Sequence, residues 1–530
     1  MQSIYNIFTL LQQVIYTFIQ YIYHMYLSSS SKIDYTFYKS PFDKPIYTIF
    51  KPNDTDSYKF SHGKLSREIN GSPIDFNFSY FEARTGGKFS ESTFYGLQIL
   101  LAGLEGPIIT KQDIDRLEIR VNLHMGPGTF QREMWDIIIN EHAGHLPIQI
   151  NAIPEGTTVP IGNMLFSVIN TDPRCAALVG YLETFLSRVW YPTTVCTISR
   201  NAKQLFINFL ELTSDCGSDI LPFMLHDFGS RGVSSQSSAA IGGSAHLVNF
   251  KGTDTFVAVD LIDQNYSESM AGFSVVATEH SVMTAGGRKG EFTIIERLIE
   301  ENSDGILSLV LDSYDIENAL QYIITELKEQ VLARNGKLVI RPDSGDAVQV
   351  VLLIYNMLAD GFGTTLNSKG FKVLNPKVGV IYGDGITPVT IDIIFQTLME
   401  NGFETSLVCG MGGGLLQKLD RDTQKCAYKC SAIQTQDGIW HDVFKDPKGG
   451  NKKSKAGRLK LILNEGEYKT VRIDDQKYIE YQDQMKLVFR NGVCYNVQTF
   501  QEIRDRSEIG LKQLTKTCIV AEDEKIIPDM

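Results

Sequence analysis

The sequence predicts an α/β protein: an irregular α/β barrel joined to a second α/β domain that both flanks of the chain build together. Three observations carry this. Short apolar runs that stop abruptly at polar residues or glycine recur about every 30 residues between Phe223 and Gly414, the length of one strand–helix unit. The runs are continuous in Val, Ile and Leu, as parallel strands buried on both faces are. Between them lie segments such as Ile316 to Leu332, whose apolar residues fall at three- and four-residue spacing and read as helix. The chain has 530 residues, 43% of them hydrophobic, too many for one ordinary domain. The expected division is an extension over 1–46, the first part of an α/β domain over 47–215, the barrel over 216–415, and the completing part of the α/β domain over 416–530.

The strand-like runs are Phe223-Met-Leu-His-Asp-Phe-Gly, Thr255-Phe-Val-Ala-Val-Asp, Phe273-Ser-Val-Val-Ala-Thr-Glu-His, Ile306-Leu-Ser-Leu-Val-Leu-Asp, Leu338-Val-Ile-Arg-Pro-Asp, Val378-Gly-Val-Ile-Tyr-Gly-Asp-Gly and Ser406-Leu-Val-Cys-Gly-Met-Gly-Gly-Gly. A barrel carries its chemistry at the carboxyl ends of its strands. Asp227, Asp254, Glu279, His280, Asp312, Arg341, Asp343, Asp384 and Gly412 would therefore converge on one mouth. Any one of them alone reads as an ordinary polar loop residue; a coordinated set does not. The flanks differ. Residues 48 to about 215 mix strand and helix patterns, and Gly457-Arg-Leu-Lys-Leu-Ile-Leu alternates as an antiparallel strand does.

Composition narrows the function. Charged residues are 21% and the formal net charge is -12, which argues against general nucleic-acid binding but leaves room for a few arginines to hold a small anion. The eight cysteines are scattered, as reduced thiols in a cytosol-like compartment are. Cys426 and Cys430 lie close, with no second pair to complete a zinc site. From Ile4 to Leu27 the chain is uncharged and apolar apart from interruptions such as Gln12, Gln13 and Gln20. A membrane anchor, a surface amphipathic helix and an extension without structure all stay open there.

Three motifs carry chemistry. Cys409-Gly-Met-Gly-Gly-Gly-Leu-Leu offers backbone N–H groups to phosphate oxygens, and also reads as a bare tight turn; Leu415 breaks the dinucleotide pattern G-x-G-x-x-G. Arg341-Pro-Asp343 sets a phosphate-gripping fork beside a carboxylate suited to ribose hydroxyls, with a surface salt bridge as the plainer alternative. Gly383-Asp384-Gly385 repeats that pairing of glycine and carboxylate. His280, in Glu279-His-Ser, could carry a proton or bind phosphate.

These segments resemble the nicotinate/nicotinamide phosphoribosyltransferase family in its nicotinamide-using form. The likeness is carried by Thr55-Asp-Ser-Tyr-Lys, Tyr80-Phe-Glu-Ala-Arg, Leu225-His-Asp-Phe-Gly-Ser-Arg-Gly-Val-Ser-Ser, Ala245-His-Leu-Val-Asn-Phe-Lys-Gly-Thr-Asp-Thr, Ile340-Arg-Pro-Asp-Ser-Gly and Gly412-Gly-Gly-Leu-Leu-Gln-Lys-Leu-Asp-Arg-Asp. It runs from about Asp54 almost to the C-terminus. It implies a type II phosphoribosyltransferase-like barrel and a cytoplasmic homodimer. The implied reaction takes phosphoribosyl pyrophosphate and nicotinamide to nicotinamide mononucleotide and pyrophosphate, with Mg2+ on the pyrophosphate.

The resemblance also implies roles. Phe228 and Tyr58 of the partner subunit clamp the base, and Asp254 reads its amide. Arg231, His280 and Arg341 meet pyrophosphate. Asp343, Gly383, Asp384, Gly413 and Arg421 hold the ribose and its phosphate. Ser308 lies among the substrate positions, and Arg84, Lys429 and Lys445 add positive charge. His280, Asp343 and Asp312 form the catalytic set, with Asp312 orienting His280, and ATP optionally phosphorylates His280. Ser230, Thr278, Gly286 and Asp420 depart from the family pattern.

Overall fold

The structure, a computed structural model, describes residues 49–215, 217–447 and 453–512. They belong to one compact unit, Tyr47–Met530. The uncharged stretch 4–27 lies outside the described residues. Among those described, no helix is long and apolar enough to cross a membrane.

The apolar runs do form a parallel sheet. Its strands are β1 (Leu225–Asp227), β2 (Gly252–Thr253), β3 (Val276–Ala277), β4 (Asp304–Val310), β5 (Asn335–Arg341), β6 (Val378–Tyr382) and β7 (Val408–Met411). They lie in the order β2-β1-β7-β6-β5-β4-β3, with every pairing parallel. A parallel bridge between Gly252 and Phe273 brings the two edges together. Thr253 N–H donates to the Phe273 carbonyl (2.9 Å) and Phe273 N–H to that of Lys251 (2.7 Å). Along β5 the side chains alternate. Leu338 and Ile340 are fully buried in one apolar core with Val351, Ile354 and Leu358 of the helix Ala347–Phe362. Val339 and Arg341 are left on the inner row, and Arg341 ends the strand at the mouth.

Two expectations are corrected. Thr255 to Asp260 is not a strand: Phe256–Tyr266 is a helix, and the strand at this place is the two-residue β2 just before it. A short apolar run fits either element, and burial of Ala258, Ile262 and Tyr266 follows the helical period. The segment Ile316 to Leu332 is two helices, Ile316–Glu326 and Lys328–Ala333, separated at Leu327.

The flanks meet in an eight-stranded antiparallel sheet. Ser72–Ala83, Ile148–Ala152 and Met164–Asn170 come from the N-terminal side, while Cys426–Thr435, Trp440–Asp442 and Lys486–Arg490 come from the C-terminal side. The central pairing, Ser72–Ala83 with Cys426–Thr435, sets Tyr80 opposite Lys429. Its apolar core includes the stacked rings of Phe81 and Phe166. Leu459–Asn464 pairs with Glu467–Arg472 as a separate ribbon, antiparallel as the alternation predicts.

The last described helix, Phe500–Lys512, latches onto the barrel. Arg504 is buried and donates to the carbonyls of Leu247 (2.9 Å), Phe250 (3.4 Å) and Ala271 (2.5 Å), tying together the segments that flank β2. Burial pulls its guanidinium down to about 10. Truncation strands buried acceptors, each costing about 1–3 kcal/mol. Arg504→Ala should therefore lower unfolding free energy by about 3 kcal/mol or more, read as a fall in the urea midpoint at unchanged slope.

Candidate active site

The loops after β1, β2 and β7 form the floor of the mouth. Phe228 follows β1, and its N–H donates to the Met411 carbonyl of β7 (3.1 Å). Its ring needs two glycines. A Cβ on Gly410 would fall 2.0 Å from the ring, and one on Gly383 would fall 3.0 Å from it. The Arg341 guanidinium covers the ring at 4.9 Å from its centroid. The loop after β1 packs just as tightly onto the turn after β7, since a Cβ on Gly229 would meet Leu416 at 2.6 Å and one on Gly232 would meet Gln417 at 2.3 Å.

Asp254 follows β2 and is exposed; its N–H donates to the Asp227 carbonyl (2.9 Å). Ser274 Oγ donates to Asp254 Oδ1 (2.5 Å), leaving Oδ2 for another donor. His226 lies beneath, its ring centroid 5.9 Å from that of Phe228. Burial holds its imidazole below the usual range, opposed by the Asp254 charge.

Asp312 links three strand ends. Its carboxylate is almost buried; Oδ1 contacts His280 Nε2 (3.1 Å), and Oδ2 accepts from Asp343 N–H (2.9 Å) and Ser344 Oγ (2.5 Å). His280 is half exposed, at the start of the short helix His280–Met283. Arg341 reaches Asp343 Oδ1 at 3.2 Å, and its Nε is buried without a partner. Asp384 is exposed on the turn after β6, where Gly385 takes a φ of +63°. Burial first, then the charges of Asp384, Asp343, Asp346 and Asp312, push the Tyr382 phenol up to about 12. The Tyr382 hydroxyl donates to the Gly345 carbonyl (3.3 Å), behind the Asp343 loop. Arg231 is exposed on the turn Ser230–Gly232, and Gly413 opens the turn Gly413–Leu416. Ser308 is buried on β4, its carbonyl accepting from Thr278 N–H (3.0 Å).

The remaining basic positions lie on or beside the antiparallel sheet instead. Lys429 donates to the Tyr428 carbonyl (2.9 Å); burial pulls its ammonium down, Glu183 opposes that, and Arg84, Arg421 and Lys59 reinforce it. Arg84 Nε donates to the Lys425 carbonyl (3.0 Å), and Arg421 to that of Cys426 (2.9 Å). Lys59 pairs with Glu183 (2.5 Å). Lys445 is exposed, beside residues 448–452, which lie outside the described residues. Tyr58 is 54% exposed and packs on His62 and Lys59. The aromatic and cationic neighbours of Phe228 are His226 and Arg341. Within one chain, then, the sites gather into two groups, one at the mouth and one on the sheet.

Sequence reasoning missed Ser274, Ser344 and Lys59. A polar residue inside the apolar run after Phe273 was the only signal for Ser274; the other two needed the fold.

The fold is shared with solved structures. The chain superposes on a nicotinate-nucleotide pyrophosphorylase from Pyrococcus furiosus with a TM-score of 0.55 at 14% identity, covering 88% of this chain and 96% of that one. On the human nicotinic acid phosphoribosyltransferase the TM-score is 0.51 at 15% identity, covering 86% and 93%. Residues 223–493 match the model of the nicotinate phosphoribosyltransferase (NAPRTase) family, and residues 52–150 match the N-terminal domain of nicotinamide phosphoribosyltransferase. A nicotinamide phosphoribosyltransferase from Xanthomonas campestris pv. campestris is 42% identical over 86% of this chain and 97% of its own. One from Acinetobacter baylyi is 35% identical over 73% and 81%. The chain belongs to the nicotinate phosphoribosyltransferase family.

Asp227, beneath the mouth, is fully buried. Its Oδ1 accepts from Gly229 N–H (2.7 Å), and the Thr255 hydroxyl beside the carboxyl favours its ionised form. Burial pushes its carboxyl up to about 6. An acid whose folded pKa is raised gives stability that is present below its unfolded value, near 4, and is lost as pH climbs through the folded value. Relative to the parent, Asp227→Asn should gain about 2 kcal/mol between pH 4 and pH 7, as measured by urea unfolding at the two ends.

Proposed function

We propose that this chain is a nicotinamide phosphoribosyltransferase that acts as a cytoplasmic homodimer in NAD biosynthesis. One observation carries the choice of base: an exposed carboxylate, Asp254, stands beside the Phe228 loop with one oxygen occupied by Ser274. The free oxygen accepts the amide NH₂ of nicotinamide and repels the carboxylate of nicotinate. Selection of nicotinate would call for a neutral group at this position.

In the reaction the pyridine nitrogen attacks C1′ of phosphoribosyl pyrophosphate. The new N–C1′ bond forms as the C1′–O bond breaks, its electron pair leaving on pyrophosphate, and no proton is transferred. The base ring lies on Phe228, with Tyr58 of the partner subunit on its other face. Arg231 and Arg341 take the pyrophosphate, Asp343 and Asp384 the ribose hydroxyls, and Gly383 and Gly413 allow close backbone approach. Ser308 joins the substrate-facing set. Catalysis is then largely positioning, with stabilisation of the departing anion.

The hard oxygen donors gathered around Tyr382 suit Mg2+. Asp343 and Asp384 would hold the Mg2+ that accompanies the pyrophosphate. Bound there, it supplies charge neutralisation for the leaving group.

A shared dimer site accounts for the separation of the basic patch from the mouth: Arg84, Arg421, Lys429 and Lys445 of one subunit would meet the phosphates held by the other. Asp312 holds His280 half exposed, which suits optional phosphorylation by ATP. The free thiols among the described cysteines fit a reducing cytoplasm.

Asp254→Ala should lower kcat/KM for nicotinamide by about 10- to 100-fold and narrow its advantage over nicotinate; an unchanged ratio in steady-state assays with both bases would remove Asp254 from specificity. Co-expressed Tyr58→Ala and Asp343→Ala chains, each inactive alone, should together regain about a quarter of parental turnover, because half the dimers carry one intact shared site. No recovery would mean that each chain builds its site alone.

A further inference from the structure

Asp254 and Ser274 stand at the ends of two short arms. The first arm runs from Phe250 through β2 to Asp254, and the second from Ala271 to Ser274, just before β3. They touch through one parallel bridge, Gly252 with Phe273, where Thr253 N–H donates to the Phe273 carbonyl (2.9 Å) and Phe273 N–H to that of Lys251 (2.7 Å). The contact leaves no slack: a Cβ on Gly272 would fall 2.7 Å from Thr253 Cγ2 and 2.9 Å from the Leu247 side chain. At the far end the Ser274 hydroxyl donates to Asp254 Oδ1 (2.5 Å). A hydrogen bond tolerates only a few tenths of an ångström, so the spacing of the arms decides how firmly Ser274 holds that carboxylate.

Arg504, on the helix Phe500–Lys512, grips both arms at their roots. Its side chain is buried. Nε donates to the Leu247 carbonyl (2.9 Å), and a single Nη2 reaches the carbonyls of Phe250 (3.4 Å), where the first arm starts, and Ala271 (2.5 Å), where the second starts. Asp254 lies four residues beyond Phe250, and Ser274 three beyond Ala271. One planar group therefore fixes the distance between the two roots. A buried cation held by main-chain carbonyls adds little net stability, because its desolvation offsets most of what the bonds return. A rigid fork is, however, a precise spacer, which a flexible ammonium is not.

We propose that Arg504 is a positioning residue for base recognition: by stapling the roots of the two arms it sets the distance at which Ser274 holds Asp254, and with it the accuracy with which the base amide is read. This rests on the nicotinamide reading above. The amide meets Asp254 both before and after the bond to C1′ forms, so a looser Asp254–Ser274 pair weakens ground state and transition state alike. The effect falls on KM for nicotinamide and leaves kcat in place. The groups assigned to phosphoribosyl pyrophosphate follow β1, β5, β6 and β7, away from both arms, so its KM is also kept. The C-terminal helix thereby acts on a pocket that it does not line.

The test uses the full chain with phosphoribosyl pyrophosphate, Mg2+ and either nicotinamide or nicotinate. A parent that does not turn over nicotinamide contradicts the functional reading itself, before Arg504 is in question. In an active parent, Arg504→Lys, which keeps a cation but loses the fork, should raise KM for nicotinamide about 10-fold, with kcat and KM for phosphoribosyl pyrophosphate within about twofold, and narrow the preference over nicotinate. In a Ser274→Ala background the same substitution should change KM for nicotinamide by less than about twofold, because the bond it would disturb is already gone. If Arg504→Lys does not fold, Phe500→Leu decides by the same two comparisons, since it removes the ring whose centroid lies 4.6 Å from the Arg504 guanidinium and so loosens the fork. A parental KM for nicotinamide in the folded variant, a loss confined to kcat, a rise of both KM values in step, or a full effect retained in the Ser274→Ala background overturns the proposal.

Discussion

The mouth depends on one steric condition: the ring of Phe228 must lie against backbone. Gly410 and Gly383 leave that space, and Arg341 closes over the exposed face. The ring then fixes more than itself. Its loop is tied to β7 through Met411, to Gly229 through Asp227, and through the Asp227 carbonyl to Asp254. The barrel strands are short, two to seven residues, so their loops must be held by each other as much as by the sheet.

Charge is divided between the two sheets. The barrel mouth carries carboxylates, with Asp312 serving His280 and the Asp343 loop at once. Lys429 of the antiparallel sheet has Lys59, Arg84 and Arg421 around it, close enough that each cation disfavours its protonation. Glu183 offsets part of that repulsion. Within one chain such a patch is costly. The net charge of -12 hid this patch, because a total says nothing of position.

Much of the barrel was legible in the sequence. Strands β4, β5 and β6 stand where continuous Val, Ile and Leu runs end in Asp312, Arg341 and Gly383-Asp384, because strands buried on both faces leave no other pattern. The run after Thr255 misled because Phe-Val-Ala-Val satisfies strand and helix alike over so few residues. Asp254 stood at a strand end all the same, six residues before the end that run implied. What stayed hidden was lateral. Ser274 on Asp254 and Ser344 on Asp312 depend on which strand ends become neighbours, and the order β2-β1-β7-β6-β5-β4-β3 is not written in spacing. The resemblance supplied names for the site residues; it did not supply these supports.

The central claim is that a carboxylate beside the Phe228 loop makes the base pocket selective for an amide. The most direct measurement is mononucleotide formation by the purified chain with phosphoribosyl pyrophosphate, Mg2+ and either nicotinamide or nicotinate as the only base. The account predicts rapid formation of nicotinamide mononucleotide and little or no nicotinate mononucleotide. Comparable or faster use of nicotinate would contradict it.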